Sequence, residues 1–123
     1  MTRSDAKPKP AAPTYDAPAA APPAGLAQLD ALLQHRSRLG AMVLLSRADA
    51  MNFSRLKALL GETDGNLGAQ LKKLEDAGYL GVKKEFLERK PVTWYALSDG
   101  GRKALQRHLA AMESLIREAN GSS

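Results

Sequence analysis

The feature that most restricts the fold is a junction at which one helical pattern ends and another begins within a few residues. Leu56, Leu59 and Leu60 give Phe53 to Leu60 an apolar helical spacing, and Asn52 before it is a natural N-cap. Gly61 stands where a C′ residue adopts the left-handed conformation. Thr63 or Asp64 then opens a second helix in TDGNLGAQLKKLEDAGY, whose narrow stripe is Leu67, Leu71 and Leu74 and whose stop is Gly78. Two helices so tightly joined predict a helix-turn-helix.

The flanks extend this pattern. Upstream, Leu26, Leu29 and Leu33 form the stripe of a short helix, and Leu39, Met42, Val43 and Ser46 resume the period after a break near His35 to Ser37, so two helices are expected. Downstream, Leu80 to Leu87 and Pro91 to Leu97 are β-prone and are separated by Glu88, Arg89 and Lys90, which predicts a hairpin with a charged tip. Alternation puts Val92, Trp94 and Ala96 on one face, and Thr93, Tyr95 and Leu97 on the other; Tyr95 and Leu97 are expected to face the core. Ser98 can cap a final long helix with Leu105, Leu109, Met112 and Ile116 along one seam.

Composition then excludes several classes of function. No cysteine is present, which removes disulfides, thiolate metal sites and a cysteine nucleophile together. His35 and His108 lie in different predicted helices and make a poor start for a metal site; no catalytic constellation or phosphate loop stands out, so neither a metal, a cofactor nor an enzymatic activity is expected. The net charge of +5 suits a polyanionic partner. Six of the seven prolines fall within residues 1–25, which are poor in large apolar side chains and are expected to be a disordered Pro/Ala-rich tail. No stretch approaches a membrane span and no signal-peptide core is visible, which makes the cytoplasm the expected location.

The string GNLGAQLKKLEDAGYL resembles the recognition helix, and the exit into the wing, of the winged helix-turn-helix regulators grouped as MarR-like and ArsR-like, particularly a small single-domain subgroup. NFSRLKALLG is similar to their Phe-x-x-Leu-Lys helix, and Arg38-Leu39 to the Arg-Leu of an earlier one. ERKPVTWYALSDGGRKAL resembles their wing tip, aromatic returning strand and Leu-Thr-x-x-Gly-Arg start of the last helix, with Ser98 in place of the Thr. The resemblance covers roughly Leu29 to Met112. It implies a mainly α fold with a small β-hairpin (α+β), a winged helix-turn-helix with a long C-terminal helix, spanning 26–119 with a frayed end at 120–123. It also implies a transcriptional regulator that binds double-stranded DNA, with helix 64–77 in the major groove and wing 80–97 beside it.

Under that reading the outward arc of helix 64–77 holds Gly65, Asn66, Ala69, Lys72, Lys73 and Asp76, with Gly68 and Gln70 on its flanks. The small residues let a backbone approach base edges, and Asn66 or Gln70 offers the paired donor and acceptor that suits adenine. Lys72 and Lys73 suit phosphates, as does Thr63 at the helix N-terminus. Arg89 and Lys90 at the hairpin tip, with Lys84 beside Lys83 on the outgoing strand, form a basic protrusion suited to a minor groove, although Lys83 and Lys84 fit equally well as charges guarding an edge strand.

The long last helix predicts a homodimer through Leu105, Leu109, Met112 and Ile116, with Leu26, Leu29 and Leu33 packed against it. Two other classes stay open at this level: a winged helix used for protein contact, and a regulator answering to a ligand, of unknown identity, in a small pocket near that interface.

Overall fold

The computed structural model describes residues 21–121. The expected tail at 1–25 lies largely outside the described residues, as do the last two residues of 120–123. Two 3-10 turns, Ala24–Gln28 and Ala31–Leu33, lead into α1 (Arg36–Ser46). The order then runs β1 (Met51–Asn52), α2 (Phe53–Leu60), α3 (Asp64–Asp76), β2 (Leu80–Leu87), β3 (Lys90–Leu97) and α4 (Asp99–Ala119). It is the expected α+β winged helix with a long C-terminal helix.

The first helix expected at Leu26 to Leu33 is replaced by the two turns. Asp30 is the cause. Its Oδ1 accepts the Leu32 N–H at 3.0 Å, and its own N–H leaves the chain to meet Nδ1 of His108 at 2.9 Å. Leu29 before it is extended at φ −68°, ψ 140°, so no α-helix runs through this segment. The expected break at His35 to Ser37 is the start of α1, where His35 Nδ1 accepts the Ser37 N–H at 3.1 Å.

Elsewhere the local chemistry acts as its residues suggest. Asn52 caps α2 through the Arg55 N–H at 2.8 Å, and Gly61 ends it in the left-handed region at φ 64°, ψ 39°. Thr63, not Asp64, is the N-cap of α3, and Ser98 caps α4 by accepting the Gly101 N–H at 2.9 Å. Glu88 and Arg89 alone make the hairpin turn, at φ 51° and 68°, and Lys90 already pairs with Leu87 in the sheet. β1 is an addition to the expected fold: Met51 and Asn52 pair with Tyr95 and Trp94, giving a three-stranded antiparallel sheet in the order β1-β3-β2.

The core is built largely of leucines from every layer: Leu33, Leu45, Leu56, Leu60, Leu67, Leu71, Leu74, Leu80 and Leu105, together with Ala41 and Met42. Tyr95 and Leu97 pack against it, as expected, and hold the sheet to the helices. Burying side chains of this size stabilises the fold by about 1.5–3 kcal/mol each, which suits a domain with so few aromatics. Two residues assigned to a dimer contact belong here instead. Leu33 is 0% and Leu105 3% exposed, so both are filled in from their own chain and offer nothing to a partner.

Candidate nucleic-acid interface

α3 is fixed to the body by Leu67, Leu71 and Leu74, which leaves Gly65, Asn66, Ala69, Lys72, Lys73 and Asp76 exposed on its outer side. A Cβ added at Gly65 or Gly68 would meet nothing within 4 Å. The fold therefore has no steric need for either glycine, although each destabilises a helix by about 1 kcal/mol relative to alanine. Their effect is an outer surface lowered to the level of the backbone, the condition for a close approach to another molecule.

Gln70 is a correction. The wheel puts it on the flank of the outer arc, but it is only 8% exposed. A guanidinium N–H of Arg38 donates to its Oε1, and its Nε2 donates to Asn66 Oδ1 at 3.4 Å. It faces α1 rather than solvent, which leaves Asn66 as the amide on the outer face. Asn66 in turn donates from Nδ2 to Glu62 Oε1. The Glu62 carboxyl is held below the usual carboxylate range, first by the Ser37 hydroxyl that donates to it, next by Asn66, with the charge of Arg36 also lowering it.

The N-terminus of α3 is already engaged. Thr63 Oγ1 accepts the Asn66 N–H at 3.2 Å, and Asp64 pairs with Lys57 of α2 at 2.8 Å, tying the two helices together. Farther along, Lys72 bonds Asp76 at 3.0 Å across one turn, and that carboxylate raises the lysine's pKa. Exposed pairs of this kind contribute little to stability.

On the wing, alternation places Lys84 and Phe86 on the face of β2 that carries Leu80 and Val82, the face turned toward the helices. Lys83 and Glu85 lie on the opposite face, 3.9 Å apart. Phe86 was not anticipated. It is 74% exposed and stands opposite Pro91 near the tip, beyond the reach of the core. A large aromatic only two residues before a hairpin turn was the signal available, because a hairpin tip extends past the core it springs from. Arg89 and Lys90 are exposed at the end of the wing. Holding Glu88 and Arg89 at positive φ costs on the order of 1–2 kcal/mol per residue, which asparagine or glycine would avoid.

The expected dimer residues divide. Leu26, Leu109 and Ile116 are 50%, 41% and 56% exposed, and Leu29 and Met112 are partly covered. Between the N-terminal segment and α4 lies a groove of about 420 Å³ lined by Leu29, Leu33, Leu39, His108, Met112 and Ile116, among others. Among the described residues no cluster of metal-ligating side chains occurs, and no helix is long and apolar enough to cross a membrane.

This geometry agrees with what known proteins show. The family model of the winged helix DNA-binding domain matches residues 37–116. The uncharacterized protein MJ0432 of Methanocaldococcus jannaschii is 33% identical over 72 residues, 58% of this chain and 78% of that protein. Among solved structures, a transcriptional regulator homologue from Pyrococcus horikoshii superposes with a TM-score of 0.67 at 28% identity, covering 72% of this chain and 87% of that one. A MarR-family transcriptional regulator from Silicibacter pomeroyi shares the fold at 20% identity, with a TM-score of 0.55 and coverage of 72% and 59%.

Proposed function

We propose, from the premise that the chain belongs to the winged helix DNA-binding domain family of transcriptional regulators, that it reads a specific duplex sequence through the front of α3. The family binds rather than catalyses, and the proposal concerns how this member does so. One observation carries it: α3 presents an outer surface of Gly65, Asn66, Gly68 and Ala69 whose glycines the fold does not require. In a major groove that surface lets Asn66 reach a base edge. Lys72, Lys73 and Thr63 contact flanking phosphates, and Lys84, Arg89 and Lys90 follow the backbone or the adjacent minor groove.

The working form is a homodimer joined along the exposed side of α4, with Leu109, Met112 and Ile116 meeting Leu26 and Leu29 of the partner. Support comes from the apolar side chains that no described residue covers there. Two α3 helices set about one DNA turn apart then read a pseudo-palindrome. The adjoining groove of about 420 Å³ falls in the size range of small-molecule sites, and it favours a second reading in which a mainly apolar effector alters how the two copies meet.

Selection of duplexes from a random library by the purified protein tests the assignment. Enrichment of two half-sites in inverted orientation is expected. Recovery of no motif, together with binding that is absent at low salt, would return the fold to a protein-contact role.

A further inference from the structure

The hydrogen bonds around Asn66 run in one direction across three elements. Arg38 of α1 donates from Nε to the Leu32 carbonyl at 2.6 Å and from the guanidinium end to Gln70 Oε1. Gln70 Nε2 donates to Asn66 Oδ1, and Asn66 Nδ2 donates to Glu62, whose other oxygen accepts from Ser37 Oγ and lies 3.6 Å from Arg36. A guanidinium only donates and an ionised carboxylate only accepts. Starting from Arg38, Gln70 must turn its oxygen toward α1 and its nitrogen toward Asn66, so Asn66 must answer with Oδ1. Starting from Glu62, Asn66 must present Nδ2. The two ends demand the same orientation.

Reversing Asn66 would set its oxygen against the Glu62 carboxylate and its NH2 against the NH2 of Gln70. Gln70 has no room to accommodate this by turning, because it is buried and its oxygen would leave Arg38. The amide on the outer face of α3 therefore displays its remaining N–H on the Glu62 side and its remaining lone pair on the Gln70 side. Across the middle of the major groove an A·T pair presents N6–H and then O4, and a T·A pair presents them in the opposite order. An amide of fixed direction tells the two apart, whereas one that is free to turn does not.

We infer that Arg38, Gln70 and Glu62 are positioning residues that set the direction of the Asn66 amide and so decide which way round an A·T pair is read. The inference rests on α3 being the reading helix.

The test exchanges the demand at each end. Gln70→Glu keeps the contact with Arg38 but turns an acceptor toward Asn66. Glu62→Gln still accepts from Ser37 through its oxygen and turns a donor toward Asn66. Each single variant sets the two ends in conflict, and the double variant brings them into agreement in the reversed sense. Base preference is read by selection from random duplexes, with Asn66→Ala locating the position concerned. Each single variant is expected to lose about tenfold of the A·T over T·A preference there, and the double variant to prefer T·A. Melting temperature and affinity for non-specific duplex should stay near those of the parent. Should Gln70→Glu fail to fold, Glu62→Gln on the more open end carries the loss of preference alone. An unaltered A·T preference in the folded variants, while Asn66→Ala flattens that position, overturns the positioning role and leaves α3 as the reader. A profile unaffected by Asn66→Ala overturns both.

Discussion

Replacing Gly101 with alanine is expected to be one of the most damaging single-methyl additions to this protein, and the same change at Gly100 mildly beneficial. A Cβ at Gly101 would lie 2.1 Å from the carbonyl oxygen of Tyr79 and 2.9 and 3.0 Å from its C and Cα. Ordinary contact needs about 3.5 Å, so α4 must retreat by more than about 1 Å. Tyr79 has little freedom to yield, since its N–H donates to Leu74 and its carbonyl accepts the Ser98 N–H, both at 3.0 Å. Overpacking costs about 1–3 kcal/mol, and a weakened Ser98 bond adds about 1, against a gain of at most about 1 for removing a helical glycine. The net is about 1–3 kcal/mol of destabilisation, or roughly 4–24 °C in Tm for a domain of this size. At Gly100 the nearest atoms to a Cβ are 3.7 and 3.8 Å away, ordinary contact, so alanine stabilises by about 0.4–1 kcal/mol. Urea unfolding followed by far-UV circular dichroism, at one protomer concentration, reads both. Equal midpoints for the two variants would refute the claim that the close approach of α4 to Tyr79 governs the outcome.

Gly25→Ala puts a Cβ 2.6 Å from the Ala111 carbonyl and should lift the N-terminal segment from α4, seen as amide exchange at Asp30 accelerated at least about tenfold while core amides keep their protection. The hydroxyl of Tyr79 donates to Asp30, which is the main reason its pKa is raised, with burial second. That contribution is complete below the ordinary tyrosine range and is lost as pH rises through the raised value, so Tyr79→Phe should cost about 1 kcal/mol at neutral pH and remove this part of the alkaline fall in urea midpoint. Arg89→Ala should weaken duplex binding across sequences and make the slope of log affinity against log salt shallower by about one, measured by fluorescence anisotropy. If the proposed dimer forms along α4, the parent should sediment as two copies at tens of micromolar and Ile116→Glu as single copies with an intact far-UV spectrum.

The helices of the turn motif were open to reading because their determinants are local: leucines at helical spacing, an asparagine or threonine before each, a glycine after. β1 was not legible, since two residues carry no alternation, and only the finished hairpin makes Met51 and Asn52 a strand. Gln70 sits at the border of the helical wheel, and what decides its burial is Arg38, 32 residues away. The apolar seam of α4 posed a similar ambiguity. Periodicity shows that Leu105 and Ile116 share a side, but where the domain ends along that side settles that one is core and the other exposed. Leu26 to Leu33 misled because the spacing was helical while Asp30 held its neighbours by side-chain bonds.

Asn52 is at once the last residue of β1, paired with Trp94 of the wing, and the cap of α2. No linker separates the two roles, so the wing has no slack with respect to the helix-turn-helix. A strain applied at Arg89 passes down β3 and arrives at the first turn of α2 within a single residue. The wing is thus a lever fixed to the helix-turn-helix rather than a flap hinged on it. In the proposed dimer, adjustment to a duplex comes from rotation of the whole unit about the seam proposed between copies.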